Sequence, residues 1–173
     1  MFIFAEDIVS AVAREECAKI SSLAAGKTVL ELGSHFGRST VALASTARIV
    51  HAVDWHMGDL HAGQCDSAAV FVANITKYNV RGKVAFHMSK FEDILPLFRP
   101  GLFDFTFIDA LHTKEAVETD AKSVLPLMKP RGIIAFHDYG LPQFGVTQAV
   151  DEFSKSLGVA VEVTRTVAVV RLP

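Results

Sequence analysis

The sequence is poor in cysteine and in net charge, and both shortages restrict the class of protein. Its two cysteines, Cys17 and Cys65, lack the spacing of a metal-binding pair. The opening apolar residues 1–4 are too short to be a targeting or membrane-spanning segment. Because the chain has no credible signal peptide, we expect its two cysteines to be reduced thiols and the protein to be cytoplasmic. A formal net charge of −2 and a pI near 6.4 provide no basic field, so extended nucleic-acid binding is not expected. We expect a small-molecule partner and no membrane contact.

Repeats, linkers and low-complexity segments are also missing, which favours one folded unit. Hydrophobic residues make up 50% of the chain and charged residues 21%, enough apolar side chains for a sizeable core. We expect residues 1–173 to form a single domain, with a leading helix within residues 1–25. A mean hydropathy of +0.32 is also compatible with a homodimer formed through an apolar helix face.

Helical and extended patterns alternate along the chain. Apolar residues at Ile8, Val12, Ile20 and Leu23 predict an amphipathic helix over Glu6–Ala24. Such alternation is typical of an α/β, doubly wound, Rossmann-like sheet that is mostly parallel, and the tail predicts an antiparallel hairpin at its edge. The predicted strands are Thr28–Leu32, Arg48–Val53, Lys83–Met88, Phe103–Ile108, Gly132–Phe136 and the hairpin runs Val159–Val163 and Val167–Leu172. The other predicted helices are Arg38–Ala47, Ser67–Tyr78, Phe91–Leu97, Thr113–Leu125 and Val146–Leu157.

The segment ELGSHFGRST, residues 31–40, places a glycine turn between a predicted strand and a predicted helix. Gly33 allows a sharp turn and the close approach of a ligand, and the helix N-terminus offers unpaired N–H groups. Gly33 and Gly37 form G-x-x-x-G rather than the G-x-G-x-x-G of dinucleotide folds, and no Gly-Lys-Ser/Thr of a P-loop follows. A pyrophosphate site is therefore disfavoured, which makes a nicotinamide-dependent oxidoreductase the weaker alternative.

Asp54 ends the next predicted strand, about 20 residues beyond Gly33, where a carboxylate can accept both hydroxyls of a ribose. A ribose site without a pyrophosphate site indicates S-adenosylmethionine. Glu31, at the end of its own strand, can hold the ammonium end of that cofactor or order the loop. The plain alternative for Glu31 and Asp54 is a pair of ordinary strand-end carboxylates.

A second group of polar residues follows two later strands. Asp109 ends FTFI, His112 lies three residues on, and His137 and Asp138 end GIIAF. Because the carboxyl ends of neighbouring strands open into one crevice, these side chains should meet there. Asp109 and Asp138 are hard oxygen ligands that suit Mg²⁺ or Ca²⁺, whereas a third ligand from His137 favours Mn²⁺, Fe²⁺ or Zn²⁺. We expect a divalent metal site, and the sequence leaves the identity of the metal open.

The three segments ELGSHFGRST, VDWHMGDLHAG and FDFTFIDALHTKEAVETDAKSVLPLMKPRGIIAFHDYG together resemble class I S-adenosylmethionine-dependent methyltransferases. The resemblance covers most of residues 25–150. It is to the small branch related to macrocin-type sugar O-methyltransferases and cephalosporin-biosynthesis methyltransferase-like proteins. It implies O-methylation of a hydroxyl on a sugar, a phenol or a natural-product scaffold. Because the chain is short and lacks the substrate-binding insertions of larger members, a non-catalytic cofactor-binding or assembly module is the alternative.

The resemblance also implies roles for individual residues at the cofactor. Asp54 binds the ribose, Trp55 lies against the adenine, and Ser89 matches the position that contacts the adenine amino group. Asp109 lies beside the cofactor as well as at the metal. The residues matched to the methionine part of the cofactor are Glu31, Gly33, Ser34, Gly37 and Ser39.

Proton removal and metal binding are implied by the same resemblance. Asp109 and Asp138 correspond to metal-binding carboxylates, and His137 stands where several relatives carry a second acidic residue. Methyl transfer needs an oxygen nucleophile in line with the electrophilic methyl group, and a metal would lower the pKa of that hydroxyl. His112 is the favoured general base, because its ordinary pKa of roughly 6.5 suits neutral pH and catechol-type O-methyltransferases place a catalytic lysine there. Alternatively, His112 caps the helix at Thr113 or bonds Asp138, and His137 is the base if no metal binds.

The loop after Asp54 is the last candidate element. Its polar and small residues are typical of pocket-lining loops, so Asp59 and His61 are predicted to approach the substrate or the metal. The equally weighted alternative is a solvated loop with Trp55 as its packing anchor.

Overall fold

A computed structural model of the protein describes residues 1–59 and 63–173. Its strands in chain order are β1 (Thr28–Leu32), β2 (Ile49–Asp54), β3 (Gly58–Asp59), β4 (Gly63–Gln64), β5 (Val84–Met88), β6 (Phe103–Ile108), β7 (Met128–Phe136), β8 (Val161–Thr164) and β9 (Val167–Arg171). Its helices are α1 (Arg14–Ala24), α2 (Arg38–Thr46), α3 (Ala68–Lys77), α4 (Phe91–Ile94), α5 (Lys114–Val124) and α6 (Val146–Leu157).

Seven of these strands form one sheet in the order β5-β2-β1-β6-β7-β9-β8. The first five are parallel, and β9 pairs antiparallel with both β7 and β8. The predicted α/β, doubly wound sheet with an antiparallel C-terminal hairpin is therefore confirmed. The short strands β3 and β4 form a separate antiparallel pair that the sequence pattern did not predict.

Two hydrophobic cores cover the two faces of the sheet. One packs α1, α2 and α3 on the sheet, and the other packs α5 and α6 against the opposite face. Strand β1 is buried at all five positions, as expected for the centre of a parallel sheet that is covered on both faces.

Strand register brings the carboxyl ends of the central strands to one edge. Leu32 pairs with Val53 of β2 and with Ile108 of β6, and Ile108 in turn pairs with Phe136 of β7. The residues that follow these four strand positions therefore emerge side by side. Ligands of open α/β sheets bind at such an edge, where the strand order reverses around β1.

The leading helix begins later than predicted, at Arg14 rather than at Glu6. The preceding residues 1–13, which we call the N-terminal strap, are not helical because the Arg38 guanidinium binds their carbonyl groups. It donates to the carbonyls of Ser10 (3.0 Å), Val12 (3.1 Å), Glu6 (3.2 Å) and Ile8. These carbonyls would otherwise accept the hydrogen bonds of a helix, so the apolar spacing of the strap reflects packing instead.

Candidate active site

Gly33 forms the tightest point of the turn between β1 and α2. Its φ is +87°, and a Cβ at this position would lie 1.9 Å from the backbone oxygen of Asp109. Its N–H donates to the carbonyl of Val53 at 3.0 Å. Glycine is required here because the left-handed backbone and the close approach of the β6 end both exclude a side chain.

Glu31 lies directly behind this turn and is fully buried. Its Oε2 atom accepts a hydrogen bond from the Thr40 hydroxyl at 2.5 Å, and its Oε1 atom has no hydrogen-bond partner among the described residues. Burial raises the pKa of Glu31 to about 8, although hydrogen bonds from Ser39 and Thr40 oppose the shift. Of the two roles suggested for Glu31, these contacts favour ordering of the loop.

Asp54, at the end of the neighbouring strand β2, holds the glycine turn in place through hydrogen bonds. Its Oδ2 atom accepts from the backbone N–H groups of Ser34 and His35, each at 2.8 Å, and its Oδ1 atom accepts from the N–H of His56 at 2.6 Å. Three of the roughly four acceptor sites of the carboxylate are thus used by backbone donors. This loop-ordering role was not anticipated from the sequence, and ribose binding by Asp54 stays a prediction.

A cavity of about 1480 Å³ opens at the carboxyl edge of the sheet. It is wide enough for a nucleoside-sized molecule together with a second small ligand. The predicted site residues that line it are Gly33, Asp54, Trp55, Asp109, His112 and Asp138. Glu31, Ser34, Gly37, Ser39, Ser89 and His137 are not among its lining residues, although Lys90 beside Ser89 is, 5.3 Å from the Trp55 ring centroid.

Asp109, His137 and Asp138 form one cluster at the end of β6 and β7. Nδ1 of His137 lies 3.2 Å from Oδ1 of Asp109 and 3.2 Å from Oδ1 of Asp138, but it makes no aligned hydrogen bond to a described residue. The three candidate ligand atoms lie within 4.8 Å of one another. Two carboxylate oxygens and one imidazole nitrogen that converge on one point are a donor set that suits a divalent cation.

The backbone at Asp138 has a left-handed conformation, with φ of +62°. This conformation is uncommon for a residue with a side chain, although aspartate tolerates it better than most. Hydrogen bonds on both sides hold it: the N–H of His137 donates to the carbonyl of Ile108 (3.0 Å), and the N–H of Tyr139 donates to the carbonyl of Thr166 (2.9 Å). Strained backbone that is held in this way is frequent at functional sites.

His112 lies beside the two carboxylates in the wall of the cavity. Its Nε2 atom lies 2.8 Å from Oδ2 of Asp138 and 3.9 Å from Oδ1 of Asp109, and its ring stacks on Phe144 with a centroid distance of 4.4 Å. Bonds to Asp109 and Asp138 raise the pKa of His112 to about 9. The imidazole is therefore protonated at neutral pH in this arrangement. The alternative in which His112 bonds Asp138 is the one that the structure contains.

Glu16 is part of this cluster, although no sequence motif pointed to it. It belongs to α1, and its Oε2 atom lies 3.4 Å from Nε2 of His137. Burial opposes ionisation, but hydrogen bonds from His137 and Thr166 lower the pKa of Glu16 to about 2. Burial also opposes the charge of His137, yet Asp109 and the neighbouring carboxylates raise its pKa to about 12. Glu16 is the third residue after the N-cap of α1, but the N-cap is Ala13 rather than Ser or Thr, so the sequence lacks the full capping-box signature that could have singled Glu16 out.

The loop after β2 is described only in part. Trp55 is exposed and borders the cavity. His61 lies outside the described residues, and the predicted role of Asp59 at the substrate or metal stays a prediction.

Solved structures with this fold include methyltransferases with bound cofactor. Cofactor-bound Rv0187 from MTB is 21% identical, with a TM-score of 0.71, covering 98% of this chain and 83% of that chain. The O-methyltransferase TomG from Streptomyces achromogenes, in complex with S-adenosylmethionine, is 20% identical with a TM-score of 0.68 and coverage of 97% and 83%. An O-methyltransferase from Bacillus cereus, in complex with S-adenosylhomocysteine, is 18% identical with a TM-score of 0.70 and coverage of 98% and 86%. The chain thus shares the fold of these proteins.

A family model described as a methyltransferase domain matches residues 30–139. The match spans more than half of the chain and contains the glycine turn, Asp54 and the Asp109–His137–Asp138 cluster. The chain therefore belongs to this methyltransferase-domain family. No curated protein sequence gives a significant match. Within residues 1–59 and 63–173, no helix combines the length and the apolar composition needed to cross a bilayer.

Proposed function

We propose that this protein transfers the methyl group of S-adenosylmethionine to a hydroxyl of a small molecule, with the help of a divalent cation. One observation carries the proposal: Asp109 connects the glycine turn to the acid–imidazole cluster. Its backbone oxygen packs against Gly33, while its carboxylate lies 3.2 Å from His137 Nδ1. A cofactor seated at the turn and an acceptor oxygen at the cluster would therefore be neighbours in one cavity.

The residues at the glycine turn fit S-adenosylmethionine, whose sulfonium supplies an electrophilic methyl group. Gly33 leaves the edge of the turn open to the cofactor, and Ser34, Gly37 and Ser39 shape the loop around its methionine end. Asp54 has one acceptor position left for the ribose. Trp55 offers its indole face to the adenine, beside Ser89.

The cluster fits a cation such as Mg²⁺ or Mn²⁺, held by Asp109, His137 and Asp138. A cation there would lower the pKa of an acceptor hydroxyl and orient its oxygen. His112 receives the hydroxyl proton at Nε2. Asp109 and Asp138 raise the pKa of His112, so His112 would act as a base if a cation held by these carboxylates offset their charge. The alternative in which His137 is the base is not part of the proposal, because Asp109 and the neighbouring carboxylates raise the pKa of His137 to about 12 when no cation is bound.

The proposed acceptor class rests on the sequence resemblance. The HDYG segment and the Asp109–His112 spacing favour the branch of macrocin-type sugar and cephalosporin-biosynthesis methyltransferase-like proteins, so we propose a sugar, a phenol or a natural-product scaffold as acceptor. Fold alone does not determine the acceptor. We further propose a cytoplasmic protein of one domain, with a homodimer as its expected assembly.

The direct test is formation of S-adenosylhomocysteine from S-adenosylmethionine with a panel of catechols, other phenols and sugars, measured by mass spectrometry with Mg²⁺, Mn²⁺ or a chelator. We expect turnover with a hydroxyl acceptor, loss of turnover with the chelator, and a decrease of roughly 10²- to 10⁴-fold in His112→Asn. His87→Asn is the matched control, because His87 pairs with His51 at 3.1 Å and is not among the cavity-lining residues.

Two results would contradict this proposal. Binding of S-adenosylhomocysteine without turnover of any hydroxyl acceptor would favour the non-catalytic module. A product methylated on nitrogen or carbon would refute O-methylation while leaving the methyltransferase class intact. NAD is the comparison ligand in the binding experiment and is expected not to bind.

A further inference from the structure

Glu16 is a buried carboxylate whose contacts connect three distant parts of the chain. It lies in the first turn of α1 and is only 2% exposed. Its Oε1 atom accepts from the N–H of Thr166 (3.0 Å) and from the Thr166 hydroxyl (2.7 Å), in the turn between β8 and β9. Its Oε2 atom accepts from the N–H of Ala13 (2.7 Å) and lies 3.4 Å from Nε2 of His137.

These donors determine which nitrogen of His137 carries a proton. The backbone N–H groups of Ala13 and Thr166 can only donate, so both oxygens of Glu16 act as acceptors and the carboxylate is held from both ends. The His137 nitrogen that faces Oε2 must therefore donate as well. In the neutral imidazole this places the proton on Nε2 and the lone pair on Nδ1.

The lone pair of Nδ1 points to where Asp109 and Asp138 converge. We propose that Glu16 is a positioning residue that fixes the tautomer and the ring orientation of His137, so that Nδ1 binds the divalent cation with Asp109 and Asp138. The inference rests on the cation site of the proposed function. Carboxylate–histidine–metal chains of this kind orient ligands and increase their basicity in many metal sites.

Glu16 also makes contacts that serve the fold without involving His137. The contact to Ala13 caps α1, and the contacts to Thr166 hold the hairpin turn. A third carboxylate beside Asp109 and Asp138 adds like charge in a desolvated site, which costs free energy unless positive charge compensates it. In the metal-free arrangement the imidazoles of His112 and His137 supply that positive charge, and a bound cation would supply it once both imidazoles are neutral.

The test is a calorimetric titration of Mn²⁺ into the full chain, with S-adenosylhomocysteine titrated in parallel. Glu16→Gln keeps the size of the side chain, but its amide must turn an NH₂ group toward one set of donors. We expect Glu16→Gln to weaken Mn²⁺ binding by roughly 10- to 100-fold and to leave the metal-free affinity for S-adenosylhomocysteine unchanged. In ¹H–¹⁵N spectra with Mg²⁺, His137 should be protonated on Nε2 in the wild type and lose this preference in the variant.

Two control variants separate positioning from general loosening of the fold. Glu15→Gln removes the neighbouring carboxylate, whose side chain is 70% exposed and pairs with Arg165, and it should bind Mn²⁺ as the wild type does. Thr166→Val removes one donor to Glu16 while keeping its charge and its contact to His137, so its Mn²⁺ affinity should stay close to that of the wild type.

Three results would overturn the inference. Equal Mn²⁺ affinities in the wild type and Glu16→Gln would refute the positioning role and leave the proposed function intact. An equal loss in Thr166→Val would assign the effect to loosening of the hairpin. Failure of the wild type to bind Mn²⁺ would refute both the cation site and the role of Glu16, whereas binding of S-adenosylhomocysteine in the same samples would still support methyl transfer.

Discussion

Gly33 is the residue at which the glycine turn is most sensitive to substitution. Gly33→Ala should lower the free energy of unfolding by roughly 2 to 5 kcal/mol, because the cost of the left-handed backbone adds to the cost of the clash with the Asp109 carbonyl. It should also abolish S-adenosylhomocysteine binding by separating the ends of β1 and β6. Urea denaturation and calorimetric titration measure the two effects.

Gly26→Ala is the matched control for that substitution. Gly26 also has a positive φ, +71°, but a Cβ there would meet no atom within 4 Å. Gly26→Ala should lower the free energy of unfolding by only about 1 to 2 kcal/mol, the cost of the left-handed backbone. Its affinity for S-adenosylhomocysteine should equal that of the wild type. Equal losses in the two variants would show that the close approach at Gly33 contributes nothing.

Asp120 is a buried carboxyl on α5 that makes stability depend on pH. It is 8% exposed, and burial, with a further contribution from Glu92, raises its pKa from 3.8 to about 7. The unfolded chain releases this proton near pH 4 and the folded chain near pH 7, so the unfolded state binds fewer protons in between. The stability of the wild type should therefore decrease as the pH rises through this window.

Asp120→Asn removes that dependence. We expect the variant to match the wild type at pH 4 and to exceed it at pH 8 by on the order of 4 kcal/mol, measured by urea denaturation at both pH values. Glu118→Gln is the control on the same helix, because Glu118 pairs with Lys114 and Lys122 and its loss should not stabilise the protein at pH 8. An Asp120→Asn variant with an unchanged pH profile would contradict the assignment.

Residues that lie at strand ends could be predicted from the sequence because parallel strands align their carboxyl ends. Gly33, Asp54, Asp109 and Asp138 each follow or end an apolar run, so strand order alone brings them together. Glu16 could not be predicted in this way. Its role depends on the packing of α1 against the hairpin turn at Thr166, and no local pattern encodes that contact.

The N-terminal strap is the element that the Arg38 side chain holds in place. Ser10 and Ala11 of the strap line the cavity, and the Arg38 guanidinium binds the carbonyls on both sides of them. Arg38→Lys retains the charge but cannot reach several carbonyls with one planar group. Amide exchange in residues 1–13 should accelerate by at least roughly tenfold, equivalent to one lost charge-assisted hydrogen bond.

Ligand binding should report the same change. Because the strap borders the cavity, Arg38→Lys should also bind S-adenosylhomocysteine more weakly. Arg48→Lys is the control, since Arg48 bonds the Thr28 hydroxyl at the opposite end of β1. Unchanged exchange in residues 1–13 of Arg38→Lys would mean that other contacts hold the strap.

The predicted boundaries of helices and strands are wrong where side-chain contacts or a proline outweigh the apolar periodicity of the sequence. The apolar spacing at Ile8 and Val12 predicted helix, but four carbonyl contacts to Arg38 keep that segment open. In the predicted helix Phe91–Leu97, Pro96 cannot donate, and α4 gives way to a 3₁₀ turn at Leu95. Strand β7 begins at Met128 rather than Gly132, so it includes Pro130.

At the scale of the whole molecule, stability should couple to two ligands that bind next to each other. A ligand that binds only the folded state stabilises it by about 2.7 kcal/mol at 100 times its Kd, or roughly 5 to 10 °C in Tm for a chain of this size. The proposed cofactor and cation contact different groups, apart from Asp109. Each should therefore produce its own increase in Tm, and single substitutions should remove one increase without the other.

Asp54→Asn and Asp138→Asn separate the two increases. Asp54→Asn should weaken the binding of S-adenosylhomocysteine by about 1 to 3 kcal/mol and so reduce the increase in Tm that this ligand produces. The increase in Tm with Mn²⁺ should persist. Asp138→Asn should remove the Mn²⁺ effect and keep that of S-adenosylhomocysteine, because asparagine accepts the φ of +62° at this position but provides no charge. Thermal denaturation of both variants with each ligand measures this. If Asp138→Asn kept the full Mn²⁺ effect, the cation would bind elsewhere, and if Asp54→Asn kept the full S-adenosylhomocysteine effect, Asp54 would serve only to order the glycine loop.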